Sequence, residues 1–216
     1  MTPFPSPNFG ERRGGVSPSL VVIHYTAISC AEARARLCDP AAEVSAHWLI
    51  SEQGAVEALV DERHRAWHAG AGSWGGLDDI NSHSIGIELA NDGSQPFAEP
   101  QMAALETLLA AILARWSIPP HRVIGHSDMA PARKSDPGRH FDWRRLARMG
   151  LSVWPEPGDD RAPLGPSLTR FGYPEGPQDL RLAAFRLRFR PWAQGPEDAM
   201  DRALAQNLAE TCASPP

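Results

Sequence analysis

The chain has 216 residues, 42% apolar and 22% charged, with a formal net charge of −5. This is enough to bury a core in one large domain or in one medium domain with a small companion. The slight acidity offers no basic field for a phosphate backbone, which argues against nucleic acid as a partner, and no stretch approaches the roughly 18 apolar residues of a membrane span.

The opening MTPFPSPNFGERRGG has prolines where a secretory signal needs an unbroken apolar run, so residues 1–18 read as an N-terminal extension. Three cysteines, Cys30, Cys38 and Cys212, make an odd number without CxxC spacing. That pattern suits a reducing compartment, and the cytoplasm is expected, with the periplasm or cell envelope the alternative if an export segment has been removed.

SLVVIHYTAI (Ser19 to Ile28) is a β-branched run of strand length, and SCAEARARL starts a helix at a Ser29 cap. SAHWLISEQGAVEALV pairs two apolar runs across Gln53-Gly54 and predicts an antiparallel hairpin. In SIGIELAN, Ile85, Ile87 and Leu89 alternate with Gly86, Glu88 and Ala90, which turns Glu88 to the face opposite the large apolar side chains. EPQMAALETLLAAILARWSI carries Met102, Leu105, Leu109, Ile112, Leu113 and Trp116 at helical spacing, with Pro100 near its start. HRVIGH reads as a short strand and DWRRLARMG as a closing helix. WPEPGDDRAPLGPS then replaces periodicity with proline, glycine and aspartate, and reads as a linker over 151–166.

From 167 to 216, three short helices are expected, the second presenting Leu180, Ala184 and Leu187, with Phe185 or Phe189, as its apolar stripe. About 50 residues fold alone only marginally, so this module is expected to lean on the domain spanning 19–150. The fold class is α/β: a mixed central sheet flanked by helices, plus a small C-terminal three-helix module.

A hydrolytic zinc site takes three protein ligands and keeps one position open. His24 closes the run LVVI, His126 follows RVIG, and Asp136 lies in the loop beyond, which two X-Pro steps keep from extending. Taken singly, a strand-end histidine is more often a packed or hydrogen-bonded residue than a ligand, and spacing leaves His24, His47, His68 and His126 open in this respect. Spacing alone also leaves Glu88 as a solvated strand residue and Lys134 as a loop charge.

In order and interval, VVIHYTA, SAHWLI, AWHAG, SIGIELAND and GHSDMAPARKSDPG resemble the zinc-dependent N-acetylmuramoyl-L-alanine amidases of the type 2 family, related to peptidoglycan recognition proteins and phage amidase lysozymes. The resemblance runs from about Ser19 to Met149. From about Ser167, FGY, AFRLRFRP and PEDAMDRAL are similar to the small helical peptidoglycan-binding module of some members, although the glycine-aspartate-glycine turn reads AQGPED here.

The resemblance implies that His24, His126 and Asp136 bind Zn²⁺, which lowers the pKa of a coordinated water from 15.7 toward about 7. It implies Glu88 as general base and then acid toward the leaving amine, and Lys134 as the cation that stabilises the oxyanion. His68 is implied as a cleft residue that orients substrate, with packing of Trp67-His68 the alternative, and Tyr25 as a weaker substrate contact on the other strand face. His47 is expected to be a structural strand histidine and His140 a surface one. Phage-type relatives carry a tyrosine before the histidine equivalent to His47 and a cysteine as third ligand; Ala46 and Asp136 stand here, placing the chain with the glutamate and aspartate branch.

The implied reaction is hydrolysis of the amide between N-acetylmuramic acid and L-alanine in peptidoglycan or muropeptides, in cell-wall turnover and muropeptide recycling. Two alternatives are a muropeptide-recognition protein on the same fold and a peptidase cutting another bond of the stem peptide.

Overall fold

In chain order the first strands are β1 (Phe9–Gly10) and β2 (Leu20–Tyr25), the latter formed by the β-branched run. α1 (Cys30–Leu37) starts at Ser29, whose hydroxyl accepts from the Glu32 N–H while the Glu32 carboxylate accepts from the Ser29 N–H. That reciprocal capping box satisfies two otherwise orphaned donors. β3 (Trp48–Ile50) and β4 (Val56–Ala58) make the expected antiparallel hairpin, with Gly54 at φ 83° in its turn. β5 (Arg65–Ala66) pairs with β1 in a separate two-stranded ribbon.

α2 (Ile80–His83) leads into β6 (Ser84–Leu89), and α3 (Glu99–Trp116) begins with Pro100 in its first turn. β7 (Val123–Gly125), α4 (His126–Met129) and α5 (Trp143–Arg148), capped by Asp142, follow. The tail forms α6 (Leu164–Phe171), α7 (Gln178–Phe189) and α8 (Ala199–Thr211). This computed structural model describes residues 5–212, so the first four residues of the N-terminal extension and the last four of the tail lie outside it. Among the described residues no helix is long and apolar enough to cross a membrane.

The main sheet runs β4-β3-β6-β2-β7, parallel except for β4 at the edge, and is the expected mixed sheet flanked by helices. Strand alternation divides its side chains between two cores. Val21, Ile23, Ile85, Ile87 and Leu89 pack against Met102, Leu105, Leu109 and Ile112 of α3 on one face. On the other, Leu20, Val22 and Ile124 pack with Phe171, Tyr173, Phe185, Phe189 and Leu208 of the tail.

Two details differ from the sequence reading. α6 begins at Leu164, inside the stretch expected as linker, because Pro166 falls in its first turn, where a missing N–H costs no helical bond. On α7, Leu180 and Leu187 are only partly buried, whereas Ala184, Phe185 and Phe189 are buried together with Arg181, Arg186 and Arg188. The buried face is rotated toward the arginines because their partners lie elsewhere in the chain: Asp201 and the Gly195 and Pro196 carbonyls for Arg186, and Asp128 for Arg188.

Candidate metal centre

The sheet face that carries Leu20 and Val22 continues, at the carboxyl ends of the parallel strands, into polar side chains. Those ends are the usual binding edge of an open α/β sheet. His24 lies opposite Glu88 in the β2–β6 register, and His126 follows immediately after β7. Asp136 reaches back from the loop after α4, its carbonyl accepting from the Ser127 N–H at 2.9 Å.

Three atoms meet at one point. His24 Nδ1 is 2.9 Å from His126 Nδ1, and each is 3.0 Å from Asp136 Oδ2. All three residues are buried. Burial, with the neighbouring His126, lowers the His24 pKa to about 4, so His24 is neutral near pH 7. Burial opposes ionisation of Asp136, but contacts with His126 and His24 outweigh it and hold the carboxyl well below its usual range.

The surrounding hydrogen bonds assign the imidazole tautomers. The Ser84 hydroxyl donates its proton to the Ile80 carbonyl at 2.6 Å, so it accepts from His68 Nε2 at 3.2 Å. His68 Nδ1 is then an acceptor, and His24 Nε2, 3.0 Å away, donates to it. His126 Nε2 donates to the Ala69 carbonyl at 2.8 Å. With Nε2 of each ring engaged by these outer partners, each Nδ1 faces the Asp136 carboxylate, and three potential ligand atoms crowd together. Such a donor set fits a divalent cation: ring N–H groups anchored on outer partners are the usual support of metal-ligating histidines. A tetrahedral Zn²⁺ with bonds of about 2.0–2.1 Å spaces its ligands about 3.3 Å apart, which the triangle reaches by opening a few tenths of an ångström.

The three residues line a cleft of about 410 Å³ together with Tyr25, Trp67, His68, Glu88, Arg133 and Lys134. Glu88 is half-buried, and its Oε2 has no hydrogen-bond partner among the described residues. Burial first, then the negative charge of Asp136, raises its pKa to about 8, against the opposing charge of Lys134. Lys134 is exposed on the rim. Tyr25 borders the same cleft as His24 although alternation sends it to the other strand face, because β2 ends there; its hydroxyl is 3.3 Å from Ser135 Oγ. His47 is fully buried, with Nδ1 accepting from the Gly86 N–H at 2.9 Å, and stands outside the triangle.

Sequence reading passed over Arg133 and Gly86. The Arg133 guanidinium donates to the Ala69 carbonyl at 2.7 Å and to the Ala71 carbonyl, clamping the segment on which His126 rests. Its place beside Lys134 in the motif was the available signal. Gly86, a glycine inside a buried strand, signalled a close approach of another group to the backbone.

The pattern of the N-acetylmuramoyl-L-alanine amidase family matches residues 14–139. The chain is 36% identical to the N-acetylmuramoyl-L-alanine amidase AmiD of Escherichia coli, over 88% of this chain and 82% of that protein. The solved complex of AmiD with anhydro-N-acetylmuramic acid-L-Ala-D-gamma-Glu-L-Lys superposes with a TM-score of 0.83 at 33% identity, covering 94% of this chain and 97% of the other. AmpDh3 of Pseudomonas aeruginosa, solved with an anhydromuramic pentapeptide, gives 0.84 at 30% identity, covering 95% and 96%. The 1,6-anhydro-N-acetylmuramyl-L-alanine amidase AmpD of Haemophilus influenzae is 34% identical over 65% of this chain and 86% of its own length.

Proposed function

The chain belongs to the N-acetylmuramoyl-L-alanine amidase family and is an enzyme of that activity, and we propose that it cleaves its amide with Zn²⁺ held by His24, His126 and Asp136. The bond hydrolysed joins N-acetylmuramic acid to L-alanine in muropeptides, the chemistry of cell-wall turnover and recycling. The observation that carries the zinc reading is the convergence of two imidazole Nδ1 atoms and one carboxylate oxygen within 2.9–3.0 Å, beside a carboxyl on the next strand.

When bound, Zn²⁺ supplies Lewis acidity and makes hydroxide available near neutral pH. Glu88 accepts the proton that the attacking water gives up and returns it to the nitrogen of L-alanine as the C–N bond breaks. A divalent charge on the neighbouring cluster would draw the Glu88 pKa back down from about 8, toward the range where it can exchange that proton. Lys134 offers positive charge to the oxygen of the tetrahedral intermediate. His68 keeps His24 in the binding tautomer, and with Tyr25 it borders the substrate.

The substrate class we propose is the soluble 1,6-anhydro-muropeptide, on the strength of the ligands in the AmiD and AmpDh3 complexes. The cytoplasm is the compartment proposed, on the three unpaired cysteines. Residues 19–150 are proposed as the catalytic unit, and the tail helices, the first of which starts at Leu164, as a module that docks wall fragments or braces the cleft.

Metal content and product analysis on one preparation test this. Stoichiometric zinc is expected, and mass spectrometry of digested anhydro-muropeptide should show an intact peptide with a free L-alanine amine. Cleavage unaffected by chelators would overturn the zinc reading, and cleavage inside the peptide would overturn the bond assignment.

A further inference from the structure

Asp128 lies two positions beyond His126 and is fully buried. Its Oδ2 accepts from the Gly125 N–H at 2.8 Å, folding the carboxylate back over the junction where β7 ends and His126 begins. The remaining partners of this carboxylate come from the tail. Tyr173, after α6, donates its hydroxyl to Asp128 Oδ1 at 2.6 Å, and Arg188 of α7 donates Nη1 to Oδ2 at 2.8 Å.

The other arm of the Arg188 fork donates to the Val123 carbonyl at 2.9 Å and contacts Ser152 Oγ at 3.3 Å. One guanidinium thus grips both the first residue of β7 and the turn that follows its last. It is itself held over the Trp143 ring at 4.3 Å and the Phe189 ring at 4.8 Å. Tyr173 and Arg188 are each 1% exposed, so neither group faces bulk solvent.

The tail also reaches the opposite side of His126. Gly75 N–H donates to the Gly172 carbonyl at 2.8 Å, and the Trp74 ring packs on Tyr173 and Phe171 at centroid distances of 5.0 and 5.3 Å. Ser73 N–H donates to the Met129 carbonyl at 3.0 Å. Those contacts fix the segment whose Ala69 carbonyl receives the His126 ring proton.

We infer that Tyr173 and Arg188 are positioning residues for His126, acting through Asp128, so that the C-terminal helices are part of the support of the metal centre as well as a packed neighbour. A buried ion pair adds little net stability, because desolvation offsets its attraction; what it fixes is the relative placement of the elements that carry it. The inference rests on the reading of His126 as a zinc ligand, and goes beyond it by assigning the ligand's orientation to side chains from the tail.

The test uses the full chain with Tyr173→Phe, which removes one hydroxyl and keeps the ring, and Arg188→Lys, which keeps the charge and loses the fork. Leu208→Ala is the packing control: it loosens the same core from α8 and offers Asp128 no hydrogen-bonding group. Zn²⁺ affinity is measured by competition with a chromophoric chelator, and the histidine ring nitrogens are followed by ¹H–¹⁵N correlation in the zinc-free protein. Tyr173→Phe and Arg188→Lys are expected to weaken Zn²⁺ binding about tenfold, in the range seen when outer partners of metal ligands are lost. Both should move the His126 ring signals, while Leu208→Ala lowers Tm and leaves affinity and signals unchanged. Unmoved His126 signals in Tyr173→Phe, or the same changes in Leu208→Ala, would overturn the inference. The ring signals decide it even if the unmodified protein takes up no zinc, a result that would remove the metal reading instead.

Discussion

Gly86 lies directly against the ring of His68: a β-carbon built on Gly86 would overlap the imidazole at Cγ, Cδ2 and Nδ1. The same ring accepts from His24 Nε2 at 3.0 Å, so the missing side chain on β6 is what lets His68 reach His24. Gly86→Ala is therefore expected to destabilise the fold by about 1–3 kcal/mol through overpacking. It should also weaken Zn²⁺ binding by displacing His68. Urea unfolding and chelator competition measure the two effects; full affinity in a destabilised protein would show that His24 keeps its tautomer without His68.

Glu88 and His24 are register partners on β6 and β2, yet in the proposed mechanism only one of them touches the metal. Glu88→Gln is expected to cut kcat by about 10²–10⁴, the usual worth of a positioned general base, while zinc content stays stoichiometric. Turnover close to that of the unmodified enzyme would take Glu88 out of the proton transfer.

Removing the metal should cost stability as well as activity, since three converging ligand atoms lose the cation that would hold them. With free Zn²⁺ at about a thousand times Kd, binding adds about 4 kcal/mol, equivalent to roughly 10 °C in Tm for a chain of this size. Differential scanning fluorimetry with and without chelator reads this directly. A Tm that chelation does not move would count against a zinc site formed by the folded chain.

Glu62 gives a pH dependence away from the cleft. Burial alone would raise its pKa, but donors from Arg115, Trp116 and Trp48 outweigh burial and hold it below the usual value. The folded chain then binds fewer protons here than the unfolded chain, so the contribution is complete above the unfolded pKa of about 4.3 and is lost as pH falls through the lower folded value. Glu62→Gln is expected to be less stable by about 1–2 kcal/mol at pH 7, with the gap closing below about pH 4. A gap independent of pH would mean that the charge on Glu62 contributes nothing.

Strands, hairpin and long helix were legible because their signals are local: β-branched runs for β2, Gln53-Gly54 for the β3–β4 turn, and apolar spacing with Pro100 for α3. The meeting of His24, His126 and Asp136 was legible only through the order of the family's motifs, since no periodicity relates residues on separate strands and a loop. What stayed hidden depends on pairs distant in sequence. Arg188 reads as solvated in isolation, and its burial is explained by partners far away in sequence, Asp128 and the Val123 carbonyl first. The tautomers needed Ser84 and Ile80, two polar groups with no chemistry of their own in the reaction.

The division of the sheet between two cores bears on how the chain can be shortened. A polypeptide stopping before Leu164 would uncover part of the sheet face that carries Leu20, Val22 and Ile124, by removing Phe171, Tyr173, Phe185, Phe189 and Leu208 from that core. A contiguous apolar patch of that kind favours self-association. Loss of function after truncation would then report insolubility before it reported any missing grip on the cell wall.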